Sequence, residues 1–568
     1  MKINFQNLDN LQKHIISLQK QTNKEDIFLV GGCIRDLLLG LDKDPKDIDV
    51  TCSGKPQEIY NSINKTNISI FQTEKFGTIT ILPKGKKYQY ELTPLREEGE
   101  YMDFRHPNKI NWTDSIIHDS KRRDFTINCI YYYYLAKNIH TEQGEEIKED
   151  KIYSHLEKDG IVLIKNNLII NSKEYISSIF ENGKFNQEIF GKILEKTKRF
   201  GNIKSNGINI IIDPWGGIKD MIDFKINAVD DPEKRFQEDA LRIIRAIRIP
   251  NILNQKLEKK HKKNSKIEEI KFFDYEKETW KAMKRNYFLV QYLPKERLKD
   301  EILKVFKEDN PFGFVSLLDE LNILKFLFPK LYETKNNYQP VRYHPFDTYT
   351  HTMLCLWNIQ KNNKKPLVKF GILYHDVGKP DQYYFAQLAT NEQERKQVHG
   401  SGFHHPVIGS YYTQKDFQAL GFSKKQIQEI CFYVEKHHLP GELLNSSQEN
   451  IPKKIKKYMI EYGYTKLRNL VDICISDRLG QFNPMQSPNT ESLQNLKKLI
   501  KQIYKKQGEF SQKDLQINGN DIIKNFNLQP SPKIGEILNY ITNWVVEDIE
   551  NRNNKEKILQ KISEEFFS

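Results

Sequence analysis

Asp47 and Asp49 lie two apart in Asp47-Ile-Asp-Val-Thr51, a segment that alternates polar and apolar residues as a half-buried strand does. Residues two apart on a strand face the same side, so both carboxylates project from one rigid face. Hard oxygen ligands placed this way suit two divalent cations that clamp a phosphoryl group during in-line displacement. About fifteen residues upstream, the strand-like run Ile27–Val30 meets Gly31-Gly32 and then a helical pattern from Cys33 to Leu39, with Arg35 and Asp36 in its first turns. A helix start offers free N–H groups and the positive end of a dipole. Glycine there lets a phosphate approach the backbone closely.

Farther along, His351, His375-Asp376, His405, His437-His438 and Asp477 recur through a histidine-rich helical segment, residues 344–480. The run Ile372-Leu-Tyr-His-Asp-Val-Gly-Lys379 sets two adjacent candidate ligands at the end of an apolar helix, with Gly378 ending the turn. Imidazole and carboxylate are good ligands for borderline divalent transition metals. His351, His375, Asp376, His405, His437 and Asp477 are thus six candidate ligands in chain order for a metal whose identity is left open.

These side chains need elements to hold them. Phe76–Leu82 and Tyr88–Thr93 read as two further strands, antiparallel neighbours near Asp47–Thr51. Residues 136–210, rich in Lys, Asn, Ile and Glu, read as an insertion, and from Asp231 onward the periodicity turns helical. The basic tract Lys256–Lys266 reads as a mobile loop that interrupts it. The expected plan is a small α/β head followed by a long all-α body.

At 568 residues the chain exceeds one ordinary domain. Its net charge of +13 favours polyanionic partners, nucleic acid first. Only 17 of the basic residues are Arg against 71 Lys, and nine of those Arg fall in four short segments before residue 250. Arg retained in so Lys-rich a chain points to sites that need its planar fork of donors. No apolar run reaches the roughly 18 residues of a membrane span, and the N-terminus lacks an apolar signal region. Six Cys with no CxxC pair exclude a disulfide scaffold and a zinc ribbon. The reading is a cytoplasmic protein with no membrane partner.

The glycine turn with the Asp47/Asp49 strand resembles the head of the DNA polymerase β-like nucleotidyltransferases. More narrowly, it is similar to the class II tRNA nucleotidyltransferases (CCA-adding enzymes) and bacterial poly(A) polymerases. Other segments match in order: Glu91 through Pro107, a strand and loop ending in Arg105-His-Pro107; Arg122-Arg-Asp-Phe-Thr-Ile-Asn128, read as a strand and as the ribose-recognition motif; Asp213-Pro-Trp-Gly-Gly217, the hinge segment; Glu238-Asp-Ala-Leu-Arg242, the base-reading motif; and Leu293-Pro-Lys-Glu-Arg297 with Glu301, the neck motif. The His/Asp series resembles the HD superfamily of metal-dependent phosphohydrolases. Residues 517–523 and 529–538 resemble the tRNA-contacting tail of the family.

The resemblance implies Mg²⁺ on Asp47 and Asp49, with Glu91 a candidate third ligand. It implies a nucleotide site of Gly31, Gly32, Arg35, Arg122, Arg123, Asp124, Asn128, Asp239, Arg242 and Arg245, in which Asp124 and Asn128 hold the ribose. Base choice also has a chemical rationale. Cytosine and adenine each present an amino donor beside a ring acceptor, which a carboxylate and a guanidinium complement, whereas guanine and uracil reverse the pattern. Asp239 and Arg242, three apart on an expected helix, would share a face and select both bases without a template. Arg245 on the same face reaches either the triphosphate or the neck.

The family departs here in three places. Cys129 stands for the usual Ala, Ala240 for Pro, and about 75 residues separate the 122–128 motif from the hinge, an insertion expected to loop out of the head. The expected domains are a head at 1–135 plus 211–250, the insertion at 136–210, a helical RNA-binding neck at 251–340, an HD-type domain at 341–485 and a helical tail at 486–568. The implied activity is addition of C, C and A to tRNA from CTP and ATP, with phosphatase or cyclic-phosphodiesterase activity as a possible second function of the HD domain. A poly(A) polymerase, an A-only or CC-only enzyme, and an HD phosphohydrolase with an RNA-binding head are the alternatives.

Overall fold

The computed structural model describes residues 3–567 except 74–76, 100–108, 137–138, 142–159, 165–166, 182–183, 198–202, 206, 264–270, 339–344, 364, 389, 395–404, 482–487, 509 and 511. Arg105, Phe76, and the end of the basic tract at 264–266 thus lie outside the described residues. The chain divides into two compact units, Met1–Glu301 and Ile302–Ser568.

Strand-forming runs of the first unit assemble into one nine-stranded mixed sheet. In chain order they are β1 (Phe28–Val30), β2 (Asp47–Thr51), β3 (Ile68–Thr73), β4 (Thr78–Pro83), β5 (Gln89–Leu92), β6 (Tyr131–Leu135), β7 (Ile161–Ile164), β8 (Asn167–Ile170) and β9 (Ile208–Ile212). They lie side by side as β7-β8-β9-β6-β1-β2-β5-β4-β3. β1 and β9 are buried along their whole length, as near-continuous apolar runs covered on both faces should be. β2 alternates instead: Ile48 and Val50 enter the core while Asp47 and Asp49 stay exposed. β4 and β5 pair antiparallel, as expected from their sequence.

The insertion does not loop out. β7 and β8 form an antiparallel pair, β8 runs parallel to β9, and β9 is antiparallel to β6. Strands are added at an open sheet edge rather than between existing ones, so the central order survives. Leu168, Ile169, Ile170, Ile208 and Ile210 are fully buried as a result, and apolar burial at about 25 cal/mol per Å² favours that edge over a solvated loop. Ile176, Ile179, Phe190 and Ile193 from two insertion helices join the same core as Phe28 and Val30. Buried Asn209 ties the insertion in, donating to Asn167 and Asp9 (both 2.9 Å) and accepting from the Tyr132 hydroxyl (2.8 Å).

Two other expectations are corrected. The 122–128 motif is not a strand: Phe125 makes one isolated bridge to Ala228, and Thr126–Asn128 form a 3-10 turn before β6. Asn128 folds back onto Asp124, and the other polar side chains of the motif are drawn to partners on different elements, which holds the segment in a turn. Lys256–Lys263 continues the helix Leu241–Lys263 rather than opening a loop. Lys256 pairs with Asp36 (2.8 Å) and Lys260 donates to the Leu39 carbonyl (2.8 Å), so this basic stretch is pinned along one side.

The second unit is built from helices, among them Thr348–Asn362, Pro366–Tyr374, His405–Ala419, Lys424–Glu435 and Tyr464–Gly480. Near its end, Ile517, Ile522, Ile537, Ile541, Val545, Ile558 and Ile562 pack as a separate small core. Among the described residues no helix is long and apolar enough to cross a membrane.

Candidate functional site

The carboxylates of Asp47 and Asp49 share the exposed face of β2, and Glu91 on β5 lies opposite Asp49 in register. Gly31 leaves β1 at φ 87°, where side chains are strained, and a Cβ there would come within 2.9 Å of Asp49 Oδ2. Only glycine lets the turn pass so close to the carboxylate. The crowding shows in charge: loss of surrounding water raises the Asp49 pKa, and the like charges of Glu91 and Asp47 add to this against the pull of Arg123 and Arg245. Three hard oxygen donors on one face, mutually repulsive, fit a hard divalent cation.

Beside them runs a continuous hydrogen-bonded chain. Arg35 donates to Asn128 Oδ1 (2.6 Å), Asn128 donates to Asp124 Oδ1 (3.2 Å), and Arg245 reaches Asp124 Oδ2 through Nε (2.8 Å) and Nη2 (2.6 Å). Burial alone would raise the Asp124 pKa, yet Arg245 and the Phe125 N–H hold it down as a carboxylate. Arg245 therefore pairs within the head. Its neighbour Arg248 makes the contact with the neck, to Glu301 at 2.5 Å.

Arg122 and Arg123 converge on Asp119, which is fully buried on the helix Ile116–Lys121. Arg122 binds it through Nε (2.8 Å) and Nη2 (2.6 Å), Arg123 through Nε (3.2 Å) and Nη2 (3.0 Å), and Tyr131 donates its hydroxyl at 2.8 Å. Asp213, also buried, caps the helix Gly217–Asp223 by accepting from Gly217 N (2.7 Å) and Ile218 N (2.9 Å). A Cβ at Gly217 would overlap the Thr126 carbonyl, so the hinge segment and the 122–128 turn are in direct backbone contact.

Asp239 and Arg242 are not on one helix. The helix Pro232–Glu238 ends before Asp239, which adopts an extended conformation (φ −137°) and caps the next helix by accepting from Leu241 N (3.1 Å). Asp has this competing preference for helix starts, and it wins over an uninterrupted helix. Asp239 instead pairs with Arg297 of the neck (3.0 Å), and Arg242 is buried against the carbonyls of Arg235 (2.9 Å) and Arg122 (2.6 Å) and against Glu238 (3.0 Å).

In the second unit all six expected ligands meet. His351 Nε2 lies 3.1 Å from Asp477 Oδ1 and 3.5 Å from Asp376 Oδ2; His375 Nε2 lies 3.6 and 3.2 Å from the same two atoms. Asp376 Oδ1 faces His405 Nε2 (3.2 Å), which in turn is 3.4 Å from His437 Nε2. The outer nitrogens are engaged: His375 Nδ1 by the Ile372 carbonyl (2.7 Å), His437 Nδ1 by that of Val434 (2.6 Å), His405 Nδ1 by Gln382 (3.1 Å). That leaves each Nε2 turned inward, the arrangement metal-binding histidines use. His375 Nε2 is buried without a hydrogen bond of proper geometry, as a nitrogen reserved for a cation would be, whereas Asp376 Oδ2 is met by the Lys379 ammonium at 2.6 Å. Burial lowers the His405 pKa to about 4 and drives that of His437 well down, keeping both imidazoles neutral as ligands. Gly378 is required by packing, since a Cβ there would overlap the His405 carbonyl.

Residues 27–150 match the family described as the poly A polymerase head domain. Residues 272–334 match the probable RNA and SrmB-binding site of polymerase A, 341–479 the HD domain, and 483–562 the putative domain 2 of tRNA nucleotidyltransferases. In their order along the chain these matches make it similar to the tRNA nucleotidyltransferases and poly(A) polymerases. Both nucleotidyltransferase heads and HD domains are metal-dependent as classes. A CCA-adding enzyme of Lactobacillus helveticus is 28% identical over 280 residues, 49% of this chain and 46% of that one, so the match spans about half the relative's length. A CCA-adding enzyme of Staphylococcus haemolyticus is 24% identical over 562 residues, 98% of each chain. Among solved structures, the CCA-adding enzyme of Bacillus stearothermophilus in complex with CTP has the same fold, with a TM-score of 0.56 over 98% of this chain and 97% of its own at 18% identity.

Sequence reasoning missed Asp119 and Gln382, which aim the expected residues, and placed Arg297 in the neck motif without its partner Asp239. Asp119 carried a usable signal, since it lies three and four residues before Arg122 and Arg123 on one helical turn. The Arg297–Asp239 pair spans 58 residues, and no local pattern marks it.

Proposed function

We propose that this chain adds C, C and A to tRNA 3′ ends from CTP and ATP, without a template and with release of pyrophosphate. The carrying observation is the Asp47/Asp49/Glu91 face pressed against the Gly31 turn and flanked by the Arg35–Asn128–Asp124–Arg245 chain. The tRNA nucleotidyltransferase match at 483–562 favours tRNA addition over a poly(A) product. The deciding experiment is incubation of tRNA lacking its terminal nucleotides with CTP and ATP, separately and together, followed by sequencing of the added ends. Poly(A) tracts, or A or CC alone, would assign the corresponding alternative.

In this reading Asp47 and Asp49 hold Mg²⁺, which would acidify the terminal 3′-OH and offset charge on the leaving pyrophosphate. Arg35, Arg122, Arg123 and Arg245 face the triphosphate beside the Gly31-Gly32 turn, and Asp124 with Asn128 holds the ribose. A protein that works on tRNA and nucleotides belongs in the cytoplasm.

Asp239 accepts from the amino group of C or A. A carboxylate has about four lone-pair sites, so Arg297 can orient it and still leave room for a base. Arg242 has five N–H donors, and its anchoring bonds leave capacity for the ring nitrogen. Asp239→Ala is expected to slow CTP and ATP addition and to raise relative UTP and GTP incorporation by about 5- to 150-fold, the equivalent of roughly 1–3 kcal/mol per bidentate base contact. Arg297→Ala should shift the same ratio less. Arg242→Ala should slow both correct nucleotides without the gain for UTP. Competition among all four triphosphates reads this, and unchanged C/A preference in the Asp239 variant would place selection elsewhere.

The six His/Asp ligands hold a divalent transition metal for hydrolysis of phosphomonoesters or 2′,3′-cyclic ends. His375→Ala with Asp376→Ala should remove that hydrolysis and leave CCA addition nearly intact. If the wild-type protein hydrolyses neither substrate with any divalent metal, the cluster is architectural. Loss of CCA addition in the folded double variant would overturn the separation of the two centres.

A further inference from the structure

Cys355 lies one helical turn after His351 on Thr348–Asn362, a spacing that stacks the two side chains on one face. It is fully buried, and its Sγ lies 3.4 Å from His351 Nε2, the nitrogen that faces the carboxylates. The ligand atoms of His351, Cys355, His375 and Asp477 all lie within 4.8 Å of one another. Metal–ligand bonds of about 2.0–2.3 Å in tetrahedral geometry place ligand atoms roughly 3.3–3.8 Å apart. The observed separations of 3.4 Å (Sγ to His351 Nε2), 3.1 Å (His351 Nε2 to Asp477 Oδ1) and 3.6 Å (His375 Nε2 to Asp477 Oδ1) fall close to those edges.

Two further observations point inward. His375 Nε2, completely buried, has no hydrogen bond and aims into this group, its Nδ1 being held by Ile372. Gly480, one turn after Asp477 on the facing helix, has no side chain, and a Cβ there would overlap the Cys355 sulfur. The two helices can thus approach closely enough to bring sulfur, imidazole and carboxylate together.

We propose that Cys355 is a thiolate ligand of the cation held by His351, His375 and Asp477, and that it selects a thiophilic metal of the zinc class over magnesium. This rests on the reading above that the His/Asp cluster binds metal. Oxygen and imidazole ligands serve a range of divalent ions, whereas one thiolate biases the set toward softer ones. Coordination replaces the S–H bond with a sulfur–metal bond and releases one proton to solvent. The remaining expected ligands, Asp376 Oδ1, His405 and His437, lie to the other side, with His438 beside them.

The test uses the full-length protein, stripped of metal and reloaded with one equivalent of zinc in excess Mg²⁺, which occupies the head. X-ray absorption should show one sulfur neighbour at about 2.3 Å beside nitrogen and oxygen at about 2.0–2.2 Å. Cobalt(II) in place of zinc should give a thiolate charge-transfer band in the near ultraviolet. Cys355→Ser should lose both signals and bind zinc at least about tenfold more weakly, with manganese affinity changed by less. Zinc that depends on His375 but has no sulfur neighbour in the wild-type protein overturns the thiolate while leaving the metal site. Zinc that fails to bind, or binds equally to His375→Ala, removes the metal site and this proposal with it. The wild-type spectrum decides the matter even if the serine variant does not fold.

Discussion

Asp47→Ala or Asp49→Ala is expected to abolish nucleotide addition, by at least about 10³-fold, on the order of 4 kcal/mol of barrier at 1.36 kcal/mol per decade. Each substitution deletes one of the oxygens that hold the charge-stabilising cation, and that stabilisation contributes several kcal/mol. Folding should not suffer greatly, because both side chains lie on the exposed face of β2 and the like charges of Glu91 and of each other oppose the pull of Arg123 and Arg245 on Asp49. Removing either carboxylate relieves repulsion toward Glu91 and, for Asp49, gives up attraction to Arg123 and Arg245, so the melting temperature without metal should change little. tRNA affinity should stay within a few fold, since binding rests on basic side chains and phosphates. Single-turnover addition, tRNA binding and melting, measured on the same preparations, check all three. Substantial turnover in either variant would remove the carboxylate pair from the reaction.

Asp119→Ala should be the most damaging change outside the carboxylate face. Asp119 is fully buried and accepts from two guanidiniums and a tyrosine. Its loss strands those donors at a cost of about 3–5 kcal/mol, the range for breaking a buried ion pair from one side. It should also raise the KM for ATP and CTP, because Arg122 and Arg123 lose the anchor that orients them. Burial would push the Asp119 carboxyl up, but Arg122 and Arg123 outweigh it and bring its pKa down to about 2. With the unfolded value near 3.9, the folded form binds fewer protons between the two. The stabilisation is therefore complete above about pH 4 and is lost as pH falls toward 2. Melting curves of wild-type and Asp119→Asn protein should converge over that interval. A folded Asp119→Asn variant with unchanged KM would show that the two arginines need no such anchor.

Local chemistry was legible where one element carried it. The alternation Asp47-Ile-Asp-Val, the Gly31-Gly32 turn and the His375-Asp376 helix end each took the form their residues dictate, because period-two burial, glycine torsions and an apolar helix are properties of a few neighbouring residues. Asp239 shows where this failed. Spacing of three suggested a shared helical face, but the aspartate caps a new helix and binds Arg297 across 58 residues of chain. The 122–128 turn failed for a related reason: Asp124 and Asn128 are engaged by Arg245 and Arg35, which come from other elements. The six candidate ligands that the fold brings together stood out in the sequence because His and Asp are conspicuous, whereas Cys355 and Gln382 look like ordinary helix residues until the fold closes around them.

The parallel pairing of β8 with β9 makes the insertion a structural member of its host. A module hung on a tether leaves the backbone groups of its host's edge strand to solvent. Here β9 takes hydrogen bonds from the insertion on one side and from β6 on the other, and β6 borders the strand that leads into the Gly31 turn. The segment is part of the sheet that carries the Asp47/Asp49 face, with β9 and β6 between its inner strand and β1. The inner strand of the insertion thus cannot be cut away without baring the β9 edge of the sheet that carries the Gly31 turn.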